Sequence, residues 1–568
     1  MLVILDDGPR RVFSAPLAVI KAATAAQVPG ALAAVERALG EGHHVAGWLG
    51  YELGYALEPR LRGYLDGHAP PLLQLGVFGP PRAQAPTVAG RAYAGPLRPE
   101  WDEGAYAARF ARVKDLIAAG DIYQANLSFR ARFAFAGNPR ALYEQLRTQS
   151  GAAHCAFADD GQRQIVSLSP ELFFELSGDG EIVVRPMKGT QARAGHDEAE
   201  RAELAASAKN RAENLMIVDL IRNDLSRIAQ PGSVEAKDLF RVETYPTLHA
   251  MVSTVTAQKR PKAGVADILR ALFPCGSVTG APKIRAMEIL HDLEFSPRGA
   301  YCGAIGHFSP PREGGGISAR FNVAIRTLTV RGGQGEMGIG GGVVQDSRAG
   351  EEYAECLLKA QFFASARKPL ELIETLRWQE KFVRLDGHLA RMENSARVFG
   401  MRFDGTLARA ALASSVADKT GALRVRLTLD ESGAHQATAH DLSSNPSYWT
   451  YAISPERTDS TDMLLRYKTS WRELYDSEAK RLGTDEVIFL NERGELTEGA
   501  RSNIFIRRDG LFLTPPLSAG VLDGCLRAEL IAKGEAREAC LTPDDLSGEV
   551  YFGNSLRGFI RAIPRPSP

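Results

Sequence analysis

The 568-residue sequence has few cysteines, no excess of charge of either sign and no long apolar run. Its 68 basic and 68 acidic side chains cancel, which disfavours nucleic acid as a partner. The six cysteines lie far apart without a CxxC pair, which argues against a disulfide framework or a zinc site. Acidic residues interrupt the apolar start of the chain, so neither a signal peptide nor a membrane span is expected. These absences favour a cytoplasmic protein without a membrane or nucleic-acid partner.

The length of the chain exceeds what one hydrophobic core usually supports, so at least two domains are expected. A helical pattern in "RAGEEYAECLLKAQFFASA" stops before Pro369, after which the pattern restarts with a strand, a turn and a helix. We therefore predict domains at residues 1–366 and 367–568. The Pro-rich segment 68–86 is predicted as a surface excursion, and residues 199–229 as one long helical segment.

Carboxylates in two predicted helices suggest a metal site. Glu352, Glu355 and Lys359 share one face of a helix, and Glu213 begins an apolar stripe on another. An unpaired carboxylate is costly to bury, and Mg²⁺ would supply the counter-charge. Ordinary ion pairs within the helices are the alternative, which the spacing leaves open. Arg326, predicted inside a strand, and the glycines of "GIGGGVV" are features suited to binding an anion.

Eight segments, in order, resemble the family of chorismate-utilising enzymes over roughly residues 10–365: "SLSPELFF", "RPMKGT", "NRAENLMIVDLIRNDL", "TLHAMVSTV", "CGSVTGAPKIRAMEIL", "YCGAIG", "FNVAIRT" and "EEYAECLLKA". This resemblance implies a chorismate-binding β-sandwich with surrounding helices, and Mg²⁺ held by Glu213 and Glu355 with Glu352 nearby. It also implies an acid beside the leaving hydroxyl, Glu171, and a chorismate pocket formed by His249, Tyr301, Arg326, Lys359 and the backbone near Thr279–Gly280 and Gly340–Gly341. Asn214 departs from the family, which usually has His there.

Lys188 lies in "RPMKGT", where the order of Gly and Lys is the reverse of that in a P-loop. Taken alone it would be read as a solvated lysine at a strand end. Within the family, anthranilate synthases typically have Ala here and aminodeoxychorismate synthases have Lys, so this motif, with Gly189 and Thr190, resembles the latter. Anthranilate synthase is the alternative. Gln124 stands where relatives that add water place a lysine base, which disfavours that chemistry.

The resemblance implies that neutral Lys188 adds to C2 of chorismate while the C4 hydroxyl, protonated by Glu171, leaves. The pocket must then lower the lysine pKa from ~10.4 by roughly 3 units. Ammonia would next enter at C4. No cysteine has the Gly-flanked setting of a glutaminase nucleophile, so we expect a separate glutamine amidotransferase subunit to supply ammonia.

The last 200 residues or so contain a second set of candidate residues. Lys468, Glu498, Arg391 and a Gly-rich loop that leads into a helix at Cys525 and Leu526 resemble the fold-type IV pyridoxal-phosphate enzymes, an α/β fold. The resemblance implies that catalytic Lys468 links to pyridoxal 5'-phosphate and Glu498 pairs with its ring nitrogen. Arg391 and the N–H groups of Cys525 and Leu526 would bind the phosphate.

This domain has Leu526 where a hydroxyl residue is common, and it lacks a first strand that relatives usually have. A homodimer through this domain is left open. The two resemblances together imply successive steps toward 4-aminobenzoate, a folate precursor: amination of chorismate, then elimination of pyruvate by a lyase. A PLP aminotransferase or a non-catalytic scaffold are the alternatives for the second domain.

Overall fold

The computed structural model describes residues 1–65, 71–245 and 248–566. The chain divides into two compact units. The first unit consists of Met1–Thr87, Leu97–Arg132 and Leu142–Ala366. The second unit consists of Val88–Pro96, Phe133–Ala141 and the chain from Arg367 onward. The predicted domains are continuous in sequence, whereas the second unit also includes two short earlier segments.

The first unit contains two large sheets. In spatial order, the strands of the first sheet are Gly280–Ala281, Gln124–Gly137, Gln334–Val343, Thr327–Arg331, Gln164–Ser169, His154–Asp159, Leu2–Asp6 and Arg11–Phe13. Arg98–Pro99 also pairs with Gln124–Gly137. Within the second unit, Ala92–Ala94 pairs with Phe135, Ala136 and Gly137. In the second sheet the order is Met187–Ala192, Leu248–Gln258, Glu181–Val184, Leu172–Leu176, Ser318–Val323, Ala304–Ser309, His44–Leu49, Leu73–Phe78 and Ala18–Ala22, and Glu235–Thr244 also pairs with Leu248–Gln258.

Helices cover the sheets of this half of the chain. The α-helices before residue 367 are Val28–Gly40, Leu53–Leu57, Glu103–Ala118, Pro139–Ser150, Asp197–Ala206, Ala208–Ser226, Val265–Leu272, Lys283–Leu293 and Ala349–Ala366. Short 3₁₀ helices are Ala25–Gln27, Pro59–Tyr64 and Gly276–Val278. Side-chain caps fix some of these starts, because Asp102 accepts from the N–H of Ala105 at 2.8 Å.

Buried side chains from both sheets share one apolar cluster. It contains Val3 and Phe13 from the first sheet, and Trp48, Phe78 and Ile305 from the second. A larger cluster joins the second sheet to its helices. The sheets and helices agree with the mixed αβ class, and the β-sandwich arrangement stays a prediction.

Three local predictions were wrong. Within segment 68–86, of which 68–70 lie outside the described residues, Leu73–Phe78 is a buried strand, since an apolar run sits between the prolines. The predicted long helix is two helices, because Ser207 has extended backbone and caps the second one. Arg326 lies between two strands, since its φ of 50° is left-handed.

The second unit contains a small and a larger sheet. The small sheet has the order Lys381–Phe382, Leu372–Gln379, Leu423–Leu429 and His435–Asp441. The larger has the order Leu496–Gly499, Glu486–Asn491, Trp449–Thr458, Gly558–Pro564, Glu549–Asn554, Asn503–Arg508, Leu511–Thr514 and Ala536–Glu538. Its α-helices are Leu385–Val398, Gly405–Val416, Glu473–Leu482 and Cys525–Ala532, and its 3₁₀ helices are Met463–Arg466, Leu517–Ala519 and Pro543–Ser547.

All six cysteines are free thiols. Among the helices of residues 1–65, 71–245 and 248–566, none combines the length and the apolar character needed to cross a bilayer.

Candidate active sites

Gly342 leaves open the space between two predicted site residues. A Cβ atom built on Gly342 would lie 2.8 Å from Gln124 Nε2 and 3.1 Å from Lys188 Nζ. The Gln124 side chain is fully buried, and both of its polar atoms lack a hydrogen-bond partner among the described residues. Such a group normally has a partner, so the space beside Gly342 suits a polar ligand. The sequence prediction included Gly340 and Gly341 but missed Gly342.

The neighbouring Gly340 and Gly341 lie beside helix Ala349–Ala366, which carries further predicted site residues. A Cβ on Gly341 would lie 3.3 Å from Glu352 Oε2 and 3.7 Å from Lys359 Nζ. Lys359 also donates to the carbonyl of Gly340 at 3.2 Å. The end of strand Gln334–Val343 is therefore surrounded by the predicted amine, amide and carboxylate groups.

Lys188 and Glu171 form a candidate nucleophile and acid. Burial raises the pKa of Glu171 to about 7, although Ser277 Oγ donates to its Oε1 at 2.7 Å and Lys188 lies nearby. Withdrawal of Lys188 from water lowers its pKa, against the attraction of Glu213. Both shifts favour the uncharged form of each group. Ser277 was missed because a lone serine gives no sequence signal for this contact.

The three predicted metal ligands lie on two helices. Glu352 accepts from Ser347 Oγ at 2.6 Å, and Glu355 pairs with Lys359 at 2.8 Å. Burial raises the pKa of Glu352, and the charge of Glu355 adds to this despite the Ser347 bond. Glu213, Glu352 and Glu355 do not form one of the tight ligand groups found among the described residues. Mg²⁺ takes one or two carboxylates, with waters and substrate oxygens completing its shell, and a site at these residues stays a prediction.

Arg326 provides a cation for an anionic ligand. In the described part of the chain its guanidinium makes no hydrogen bond or ion pair with a side chain or backbone oxygen, and burial lowers its pKa. The ring of Tyr301 packs against Gly338, and its hydroxyl lies 3.5 Å from Ser128 Oγ.

The backbone at Thr279 and Gly280 runs beside Gln124. Gly280 pairs with Ala125, and the Thr279 hydroxyl donates to the carbonyl of Cys275 at 2.9 Å. In the motif that contains Lys188, Gly189 has a left-handed φ of 88° and Thr190 is exposed.

The side chain of His249 contacts residues other than those around Lys188. Its Nε2 lies 3.4 Å from carboxylate oxygens of both Asp197 and Glu200, and its Nδ1 lies 3.0 Å from Thr244 Oγ1. Asn214, the departure from the family, accepts from Ser253 Oγ at 2.5 Å. It therefore ties helix Ala208–Ser226 to strand Leu248–Gln258.

The second unit contains a cavity of about 440 Å³ lined by Lys468, Glu498, Arg391 and Cys525. Burial lowers the pKa of Lys468 to about 8, assisted by Arg472 and Arg391. Burial raises the pKa of Glu498 to about 7. Glu498 accepts from the Tyr475 hydroxyl at 2.9 Å and from the N–H of Leu522 at 3.0 Å. An amine with a pKa of about 8 and a carboxyl group with a pKa of about 7 therefore share this cavity.

Arg391 is held rigidly at the same cavity. It binds both oxygens of buried Glu374, at 2.8 and 2.6 Å, and donates to the carbonyl of Asp523 at 2.8 Å. Glu374 is buried, but Arg391 and the His388 hydrogen bond lower its pKa to about 2. His388 Nδ1 lies 2.6 Å from the same carboxylate. Glu374 and Asp523 therefore fix the guanidinium of Arg391 where it lines the cavity.

The helix Cys525–Ala532 begins at this cavity. Its first helical hydrogen bond runs from the N–H of Ala528 to the carbonyl of Gly524, so the N–H groups of Cys525 and Leu526 make no bond within the helix. The Leu526 side chain packs with Phe505 in the core. A cationic arginine, free N–H groups, a lysine and a buried acid fit pyridoxal phosphate.

Both halves of the chain match known protein families. Residues 78–365 match the family described as chorismate binding enzyme, and residues 371–563 match the family described as amino-transferase class IV. Aminodeoxychorismate synthase component 1 of Escherichia coli (strain K12) is 45% identical over 253 residues, covering 44% of this chain and 54% of that protein. Its namesake in Bacillus subtilis (strain 168) is 38% identical over 285 residues, covering 50% and 58%.

Among solved structures, anthranilate synthase component I from Streptococcus pneumoniae TIGR4 has 25% sequence identity to this chain. The TM-score is 0.54, and the match covers 64% of this chain and 92% of that one. The chain spans about half the length of the curated relatives that it matches.

Proposed function

The chain belongs to the chorismate binding enzyme family, and on that premise we propose that it catalyses two successive reactions toward 4-aminobenzoate. The first unit would aminate chorismate at C4 to give 4-amino-4-deoxychorismate. The second would eliminate pyruvate from that product. The observation that carries the proposal is the electrostatic interaction of Lys188 with Glu171, each shifted in pKa toward neutrality, together with the open space at Gly342 beside Lys188.

Lys188 and Glu171 would divide the amination between them. The neutral Lys188 amine attacks C2 of chorismate while Glu171 donates its proton to the departing C4 hydroxyl, which leaves as water. Ammonia then adds at C4, and the bond between Lys188 and C2 breaks. Glu171 recovers a proton in the second half of the reaction. Gln124, whose amide lacks a protein partner, would hydrogen-bond the ring substituents.

Charged groups around these residues would hold the dianionic substrate. Arg326 and Lys359 offer cations to its carboxylates, and Glu213 and Glu355, with Glu352 nearby, would hold Mg²⁺. The ion would offset the charge between these carboxylates and the substrate. We expect a separate glutamine amidotransferase subunit to supply ammonia, as the name component 1 of the curated relatives agrees with a second component.

In the second unit, Lys468 would act as the base of an elimination. Pyridoxal phosphate, when bound, supplies an electron sink for charge that develops at C4 of the substrate. Lys468 Nζ would take the C4 proton and return a proton to the methylene of the departing enolpyruvyl group. Glu498 would keep the cofactor's ring nitrogen protonated, and Arg391 with the N–H groups of Cys525 and Leu526 would bind its phosphate. Formation of the aromatic ring drives the step forward.

The test is a product assay with chorismate, ammonium and Mg²⁺. We expect 4-aminobenzoate and pyruvate from the wild type, and neither product from Lys188→Ala. Lys262→Ala, an exposed lysine of the same unit, is the matched control and should retain activity. Formation of anthranilate by the wild type, or full activity of Lys188→Ala, would contradict the proposal.

A further inference from the structure

One wall of the second unit's cavity is formed by arginines that the proposed cofactor site does not use. Arg424 and Arg426 alternate with buried Leu423, Val425 and Leu427 along a strand of the small sheet, so both project from the same face. Their Cα atoms are about 7 Å apart along the strand. Both side chains line the cavity that also contains Lys468.

The positive charge of this wall is not compensated by the protein. Among the described residues, neither Arg424 nor Arg426 has a hydrogen bond or ion pair from its side chain. A third arginine, Arg377, lies directly opposite Arg424 on the neighbouring strand and donates only to the amide oxygen of Gln379, at 2.8 Å. Like charges directly opposite each other destabilise a sheet, so an anion bound here would relieve a repulsion.

Two of the acidic residues that line the same cavity accept hydrogen bonds from groups other than the wall arginines. Asp485 accepts at 2.8 Å from both the N–H and the hydroxyl of Thr450. Glu486 is buried and accepts from the N–H groups of Val487 and Arg501. Arg391, in contrast to the wall arginines, is paired with Glu374. Arg501 and Arg557 also line the cavity without an ion pair among the described residues, and Arg424 and Arg426 are the two cavity arginines that lie on one strand face.

We propose that Arg424 and Arg426 bind the carboxylates of a dianionic ring substrate and select it over amines with one carboxylate. A guanidinium presents a planar fork that matches a carboxylate, and two forks on one strand face can bind two of them. The inference rests on the proposed function, because 4-amino-4-deoxychorismate carries one carboxylate on its ring and one on its enolpyruvyl group. It adds the residues that determine which amines enter the site.

The experiment measures binding to the holoenzyme by the visible absorbance of its cofactor. Chorismate has the same two carboxylates but no amine, so it can occupy this site without reacting, and the cofactor band reports this site alone. We expect chorismate to bind at least tenfold more weakly to Arg424→Gln/Arg426→Gln, since hydrogen bonds to charged groups are removed. Affinity for 4-aminobenzoate, with one carboxylate, should change less. KM for aminodeoxychorismate should rise more than kcat falls, and Arg→Lys variants should recover part of the loss.

Arg561→Gln is the matched control, since Arg561 is an exposed strand arginine of the same unit that does not line the cavity. It should behave as the wild type. Equal chorismate affinity in the wild type and the double variant, or a wild-type band that does not respond to chorismate, would overturn the inference. A wild type that binds chorismate through these arginines but forms no 4-aminobenzoate from aminodeoxychorismate would instead refute the proposed lyase step alone.

Discussion

Replacing Gly342 with alanine tests whether the space between Gln124 and Lys188 holds the substrate. The new Cβ would lie 2.8 Å from Gln124 Nε2 and 3.1 Å from Lys188 Nζ. Ordinary contacts are about 3.5–4.0 Å, so Lys188 Nζ must move by at least roughly 0.4 Å and Gln124 Nε2 by at least roughly 0.7 Å. Both are ends of flexible side chains, so the cost in unfolding free energy should be near the lower end of the ~1–3 kcal/mol typical of overpacking.

The effect on amination should be much larger. The methyl group would occupy the proposed substrate space and displace the proposed nucleophile, and a displacement of about 1 Å can reduce a rate by ~100-fold. We therefore expect kcat/KM for amination to fall by tens of times to about a hundredfold, measured as aminodeoxychorismate formed from chorismate and ammonium. Gly30→Ala, a helix position with nothing within 4 Å of the added Cβ, is the control. Unchanged amination by a folded Gly342→Ala protein would refute the placement of the substrate.

Three further outcomes test the two sites. Ser277→Ala should move the alkaline limb of the amination profile up by roughly one pH unit. The Ser277 hydrogen bond lowers the pKa of Glu171, and the acid must be protonated to act. A hydrogen bond to a charged group contributes about 1.5–3 kcal/mol, so its loss should raise this pKa. An unmoved limb would exclude Glu171 as the acid. EDTA should abolish amination and spare the conversion of supplied aminodeoxychorismate, and loss of both reactions would contradict two independent sites. Lys468→Ala should accumulate aminodeoxychorismate, whereas undiminished 4-aminobenzoate would show that the second site is wrongly assigned.

The sequence predicts most of what depends on local pattern. The helix that carries Glu352, Glu355 and Lys359 follows from periodicity. The left-handed backbone of Arg326 could not be predicted in this way. An arginine there has no local signal, because the conformation is imposed by the strands on either side rather than by the residue.

Contacts between residues that are far apart in the chain cannot be predicted from one sequence. Ser277 reaches Glu171 across more than a hundred residues of chain, and Gly342 matters only because Gln124 and Lys188 approach it from two different sheets. Likewise, Arg377 and Arg424 become a repulsive pair only when their strands register opposite each other. Lys188 could be selected as a candidate from its position in a sequence motif, whereas the groups that shift its pKa could be identified only from the fold.

Residues far upstream complete the core of the second unit, and this predicts how it loses stability. Tyr93 is fully buried there, with its ring 5.0 Å from that of Phe399 and its hydroxyl donating to Glu431 at 3.1 Å. Strand Ala92–Ala94 pairs with Phe135–Gly137, so both early segments act together.

Tyr93→Ala should therefore lower the unfolding free energy of the second unit by about 3–5 kcal/mol, as for other buried aromatic side chains. Denaturant titration of the holoenzyme checks this, because the cofactor's visible band should disappear at a lower denaturant concentration. Tyr123→Ala, in which the replaced side chain is 68% exposed, should leave that midpoint unchanged. Equal midpoints for Tyr93→Ala and wild type would mean that the chain from Arg367 onward is stable without the early segments. A lower midpoint would mean that the C-terminal half draws stability from a residue about 300 positions upstream, the separation of Tyr93 and Phe399 in the chain.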